Sequence, residues 1–401
     1  MTGDPAGPAG RQVRPDTLAV RGGLLRSGFD ETAEALYLTS GFVYDSAEQA
    51  EAAFKDEIDK FIYSRYGNPT VAMFEERLRA LEGAEACFGT ASGMSAVFVA
   101  LAALCGAGDR IVASRALFGS CFVIVDEILP RWGVERVLVD GPDLDQWRAA
   151  LEQPTAAVFF ETPSNPMQEL VDIRAVSDLA HAAGAKVVVD NVFGTPVFSR
   201  PLEHGADVVV YSATKHIDGQ GRALGGAILG PADYIGGPVK NLMRHTGPAL
   251  SPFNAWVMLK GLETMGLRVR RQHDNALAVA AYLAEHPRVS RVLHPWRADH
   301  PQHELARRQM SGGGTVLTFA IDGGKAEAFR VMNALQIVDI SNNLGDAKSL
   351  VTHPATTTHR RLSPEARAAV GITDGTIRIS IGLEDPADLV DDLAAALATL
   401  G

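Results

Sequence analysis

Between residues 110 and 229 the chain alternates short apolar runs with longer segments whose apolar positions recur every three or four residues. The runs at 110–113, 134–139, 156–160, 187–189, 208–211 and 226–229 lack the polar alternation of a half-exposed strand, and so predict strands buried on both faces. Segments 119–129, 144–151 and 173–182 carry the helical period between them. Strands and helices in turn predict an α/β unit with a mostly parallel sheet covered on both faces. Beyond Gly230 the pattern changes: glycine and proline cluster at Gly236-Gly-Pro and from Gly247 to Pro252, then a long helical stretch runs from about 254 to 286. Strands at 289–293, 315–321 and 376–381, with helices at 326–335 and 387–400, predict a smaller α+β unit. The expected division is an N-terminal tail and arm over 1–60, a large domain over 61–253 and a small domain over 254–401. Within the arm, a Gly/Pro/Ala-rich start to about Pro15 predicts no order, and 46–59 predicts an acidic helix.

Two of the buried runs end in charge. Lys186-Val-Val-Val stops at Asp190, and Val208-Val-Val-Tyr211 runs on through Ser212-Ala-Thr214 to Lys215. Parallel strands place ligands beyond their carboxyl ends, and one crossover fits between the two, so Asp190 and Lys215 are expected to meet in one crevice. A lysine and a carboxylate at opposite ends of a small aromatic ring suit pyridoxal 5'-phosphate (PLP): the lysine forms a Schiff base, and the carboxylate keeps the ring nitrogen protonated. Gly89-Thr-Ala-Ser92-Gly93-Met94-Ser95 opens an apolar helix, where small residues and free N–H groups favour an anion such as a phosphate. Upstream, Asn68-Pro69 caps a helix with Val71, Phe74, Leu78 and Leu81 on one face, and spacing alone makes Tyr63 and Arg65 a loop pair packed ahead of it.

Composition narrows the partners. A net charge of -11 over 401 residues, without a cluster of lysine and arginine, argues against nucleic acid. No run approaches the roughly 18 apolar residues of a membrane span. Cys87, Cys105 and Cys121 have no metal-like spacing and cannot all pair, so no metal is expected and the cytoplasm is the expected compartment. A dinucleotide-binding oxidoreductase would carry G-x-G-x-x-G after its first strand, and the chain has none. A catalytically silent scaffold would be free to lose Lys215, Asp190 or Arg378, and all three are present.

Taken together, Tyr63-Ser-Arg65-Tyr-Gly-Asn-Pro-Thr, Ser92-Gly-Met, Asp190-Asn-Val-Phe, Tyr211-Ser-Ala-Thr-Lys215-His and Arg378-Ile-Ser-Ile-Gly-Leu-Glu-Asp resemble the Cys/Met-metabolism family of PLP enzymes, in the same order from about residue 15 onward. The resemblance implies the type I, aspartate-aminotransferase-like fold of PLP-dependent transferases and a homotetramer of two catalytic dimers. It implies Lys215 as the Schiff-base lysine and Asp190 as partner of the pyridine nitrogen. Ser92, Gly93, Met94, Ser212 and Thr214 would hold the phosphate, joined by Tyr63 and Arg65 of the neighbouring subunit. Asn165 would lie near the phenolic oxygen of the cofactor, and Arg378 would grip the substrate α-carboxylate.

Two departures from the family pattern stand out. Where the family has Leu-Tyr-Gly, this chain reads Leu117-Phe118-Gly119, so the stacking surface survives without its hydroxyl. Asn343 replaces the serine before Leu-Gly-Asp, near the substrate carboxylate. A thiolate leaving group has a conjugate acid of pKa about 8.5 and benefits from a nearby acid, whereas a carboxylate, near 4, leaves without one. Loss of the tyrosine hydroxyl therefore suits an O-acylated homoserine. The pattern resembles the family's O-succinylhomoserine sulfhydrylase branch, which implies γ-replacement of the acyl group by sulfide to give homocysteine and succinate in methionine biosynthesis. Cystathionine γ-synthase or O-acetylhomoserine sulfhydrylase chemistry remains open, with cystathionine or methionine lyase further off. Arg115, Lys348, Arg360 and Arg361 are all candidates for the cation that a succinyl tail requires.

Overall fold

A computed structural model describes residues 13–401. The expectation of an unordered start therefore falls almost wholly outside the described residues. The first sheet has seven strands: β1 (Ala86–Thr90), β2 (Arg110–Ser114), β3 (Glu135–Val139), β4 (Ala157–Glu161), β5 (Lys186–Asp190), β6 (Val208–Tyr211) and β7 (Gly226–Gly230). They lie in the order β1-β7-β6-β5-β4-β2-β3, and every pairing is parallel except the two made by β7. The type I fold class is thus present, with helices on both faces as expected. The second sheet contains β8 (Val289–Leu293), β9 (Val316–Ile321), β10 (Asp339–Ile340), β11 (Leu350–Thr352) and β12 (Thr376–Ser380), ordered β10-β11-β12-β9-β8 and mostly antiparallel.

Register within the first sheet brings charges together. Glu161 ends β4 directly opposite Asp190 at the end of β5, and Asp190 pairs with Val210 of β6, two residues before Ser212. Each of these strands is buried along its apolar run, so the only place for their charged ends is the crevice beyond the sheet edge.

Local chemistry explains the flanking helices. Asn68 accepts from Thr70 N at 2.9 Å, Pro69 takes the first helical position and Gly83, at φ 79°, ends helix Pro69–Glu82. Ser92 caps helix Gly93–Ala102 by accepting from Ser95 N at 3.2 Å. The predicted helix at 46–59 is shorter, Ala47–Phe54, because Asp56 adopts φ 55°. Predicted helix 119–129 begins as Gly119–Val123, then widens and narrows through irregular turns to Trp132.

Helix Pro252–Glu285 joins the two sheets in one span of 34 residues, about 50 Å long. Ala255, Met258, Leu259 and Leu262 near its start pack into the core under the first sheet. Ala276, Val279, Ala280 and Leu283 near its end pack with Phe319, Ile377 and Leu393 of the second. Between these stretches, Arg268 donates to His216 O at 3.0 Å, and Gln272 donates to Asp346 O at 2.6 Å and Ile381 O at 3.1 Å. A single helix therefore grips the turn after Lys215 and the segments beside Asn343 and Arg378.

Candidate active site

The carboxyl ends of β4, β5 and β6 border a cavity of about 300 Å³ that Ser92, Gly93, Met94, Phe118, Asn165, Asp190, Ser212, Thr214, Lys215 and Arg378 all line. Residues nearly 290 positions apart in the chain are thus collected in one place, as the parallel strand order predicts. Asn343 joins them through its side chain, whose Oδ1 accepts from Lys215 Nζ at 2.5 Å. Burial, helped by the positive charge of Arg378, lowers the Lys215 pKa from 10.5 to about 8. At pH 8 about half of such amines are neutral, against about 0.3 % of an ordinary lysine, so Lys215 is prepared to act as nucleophile and base.

Asp190 is buried, and burial raises its pKa to about 6 despite a 3.1 Å hydrogen bond from Val192 N. Among the described residues no cation forms an ion pair with it. A protonated pyridine nitrogen would supply that missing charge, so this carboxylate fits PLP. The other end fits equally well. A methyl group on Gly93 would come within 2.5 Å of the Ser212 side chain, which shows how tightly the helix start packs on the turn after β6. Ser212, Thr214 and the start of helix Gly93–Ala102 line the same cavity, and Gly93 packs directly on Ser212, a donor set suited to a phosphate.

Arg378, on β12, is buried and spreads its guanidinium: Nη1 donates to Asn165 Oδ1 at 3.0 Å, and Nη2 to the carbonyls of Asn342 and Asn343 at 3.0 and 3.1 Å. Its Nε is buried without a partner among the described residues, so a donor remains for a substrate carboxylate.

Sequence reasoning missed Glu161. It is buried, lines the cavity, and accepts from Phe118 N at 2.9 Å and Asn165 N at 2.6 Å, tying the loops that carry both residues to the end of β4. Burial, then the neighbouring Asp190 charge, pushes its pKa well up. The available signal was that Glu161, like Asp190, ends an apolar strand in a charge.

Tyr63 and Arg65 do not line this cavity. Tyr63 is exposed, and the Arg65 guanidinium lies over the rings of Tyr63 and Tyr66, at 5.5 and 4.7 Å, and donates to the Arg244 carbonyl. A second, outer cavity of about 1160 Å³ adjoins the first and shares Met94, Phe118, Ser120 and Asn342 with it. Among the described residues there is no cluster suited to a metal ion and no helix long and apolar enough to cross a membrane.

Residues 16–398 match the family model of the Cys/Met metabolism PLP-dependent enzymes. The chain belongs to that family. It is 65 % identical to O-succinylhomoserine sulfhydrylase of Mycobacterium tuberculosis over 390 residues, 96 % of either chain. The protein of the same description from Pseudomonas aeruginosa is 49 % identical over 388 residues, covering 96 % of this chain and 95 % of that one. A solved Campylobacter jejuni structure, described as an O-acetylhomoserine (thiol)-lyase, superposes with a TM-score of 0.93 at 32 % identity, covering 96 % of this chain and 100 % of its own, and carries N'-pyridoxyl-lysine-5'-monophosphate in place of one lysine. The family's cofactor, PLP, is thus also that of this enzyme.

Proposed function

We propose that the enzyme catalyses γ-replacement on O-succinylhomoserine, with sulfide entering to give homocysteine and succinate leaving. The observation that carries this reading is the 65 % identity, over 96 % of both chains, to a protein described as O-succinylhomoserine sulfhydrylase. When bound, PLP supplies a protonated ring that withdraws electrons from Cα of the amino acid.

The residues then divide the work. Asp190 would hold the ring nitrogen protonated, while Ser92, Gly93, Met94, Ser212 and Thr214 would hold the phosphate and Phe118 would present an aromatic face. Arg378 binds the α-carboxylate with a planar fork steadied by Asn165 and by the 342–343 backbone. Freed from the cofactor, Lys215 would take the Cα proton, shed it before taking one from Cβ, and reverse these transfers once sulfide has bonded to Cγ. Asn343, which accepts from Nζ at 2.5 Å, orients the amine between these transfers. The Cγ–O bond breaks with its electron pair on succinate, so no acid is needed where Phe118 replaces a hydroxyl.

We place this enzyme in the cytoplasm as a homotetramer of catalytic dimers, with the arm of 1–60, the cofactor domain of 61–253 and the small domain of 254–401 in each subunit. Tyr63 and Arg65 lie outside their own cavity, which agrees with service to a neighbour's phosphate. The function is tested by offering sulfide and, separately, cysteine to O-succinyl- and O-acetylhomoserine. Homocysteine from the succinyl donor and sulfide is expected to dominate; dominant cystathionine would reassign the enzyme as a cystathionine γ-synthase.

A further inference from the structure

We propose that Arg360 and Arg361, on the wall of the outer cavity, form the subsite for the terminal carboxylate of the acyl donor and thereby favour a dicarboxylic ester of homoserine over an acetyl ester. This rests on the γ-replacement reading. Arg378 and Lys215 hold the amino-acid part of the donor in the inner cavity, so an acyl tail on Cγ leads out past Phe118 and Asn342 into the outer one.

The four cations that sequence could not rank separate clearly. Arg115 also borders the outer cavity, but its Nε lies 2.6 Å from Asp140 Oδ1 and its Nη2 reaches Leu138 O and Gln146 Oε1, so residues that do not line the cavity already hold it. Lys348 borders neither cavity and stands 3.8 Å from Asp346. Arg360 and Arg361 border the outer cavity, directly after buried His359, and form no ion pair among the described residues. Among the described residues that line it, Glu127 is the single acid, against Arg360 and Arg361, the two arginines not already paired. His359 is held neutral by burial, its pKa lowered to about 4, and does not alter that balance near pH 7. In a chain of net charge -11, a cavity with excess positive charge selects anions. Two adjacent planar forks suit a carboxylate better than a methyl group.

The test uses the holoenzyme with Arg360→Ala and Arg361→Ala, singly and combined, and Lys348→Ala as control. In the double variant kcat/KM for O-succinylhomoserine is expected to fall about 10- to 100-fold, the range for losing hydrogen bonds to a charged group, with less than about threefold change for O-acetylhomoserine. Lys348→Ala should leave the donor ratio unchanged. Equal losses with both donors, no loss with either, or a ratio moved by Lys348→Ala would overturn the proposal. Succinate binding to the holoenzyme, followed by calorimetry, supplies a readout independent of turnover. If the wild type makes no homocysteine from the succinyl donor, the function itself has failed. Succinate binding that weakens in the double variant would still uphold the anion site, and unchanged binding would remove it.

Discussion

A single carboxyl illustrates how much of this site depends on a residue that need not meet the substrate. Glu161 accepts from two backbone N–H groups, one on the Phe118 loop and one on the Asn165 loop, and its burial beside Asp190 leaves the two acids competing for charge. Removing both acceptors leaves donors unsatisfied, at about 1–3 kcal/mol each. Glu161→Ala is therefore expected to lower Tm and to weaken PLP binding about tenfold or more, since the loops of Phe118 and Asn165 both lose their anchor. Glu161→Gln keeps one carbonyl acceptor and should fall between. Cofactor titration by absorbance together with thermal melts decides the matter: an alanine variant that binds PLP as tightly as the wild type would show that the clasp has no bearing on the cofactor. Lys215 and Asp190 were legible because a charge at the end of a buried strand has few other reasons to be there. Glu161 obeys the same logic, but the apolar pattern stops at Phe160, so the charge that closes β4 falls outside the expected strand.

At the scale of elements, helix Pro69–Glu82 ends in an unusual group. Glu82 is buried at the helix C-terminus, where the macrodipole disfavours negative charge; Oε2 accepts from Tyr211 OH at 2.6 Å and Oε1 has no partner. Burial raises its pKa from 4.5 to about 8. A carboxyl raised in the folded state binds a proton that the unfolded chain has released, so its contribution is complete below about pH 4.5 and is lost as pH rises through 8. Between pH 5.5 and 8.5 the wild type should lose stability that Glu82→Gln does not, and the Tm difference between them should move in favour of the variant. Parallel Tm–pH curves would refute this. The elements also show where hydrophobic patterning loses power. Five of the six strands read between Arg110 and Leu229 bury their apolar runs on both faces, but β3, at the sheet edge, buries only Val139, so the expectation of burial on both faces fails there. β1, Ala86-Cys-Phe-Gly-Thr, escaped because its small residues mimic the glycine-rich turn that follows, and because it is fixed by pairing with β7, a partner distant in sequence. β10 has only two residues, both exposed, and offers no pattern at all.

For the whole molecule, the position of Tyr63 and Arg65 makes a prediction about assembly. If each pair completes a neighbour's phosphate site, mixing Lys215→Ala and Arg65→Ala chains creates hybrid dimers with one intact site, and activity should recover to about a quarter of the wild type at statistical mixing. Mixtures no more active than their parents would place Arg65 at the service of its own chain. Such a contribution was legible only through family resemblance, because spacing alone describes Tyr63 and Arg65 as an ordinary pair ahead of a helix. The long helix Pro252–Glu285 has a consequence of another kind. Arg268 holds the turn that carries Lys215, and Gln272, four residues on, holds the segments beside Asn343 and Arg378. The turn that carries Lys215 and the segments that carry Arg378 and Asn343 are thereby tied to points one helical turn, about 6 Å, apart on a single rod. The proposed amine and carboxylate-binding groups are therefore fixed to one spar, and a kink in it would shift one against the other.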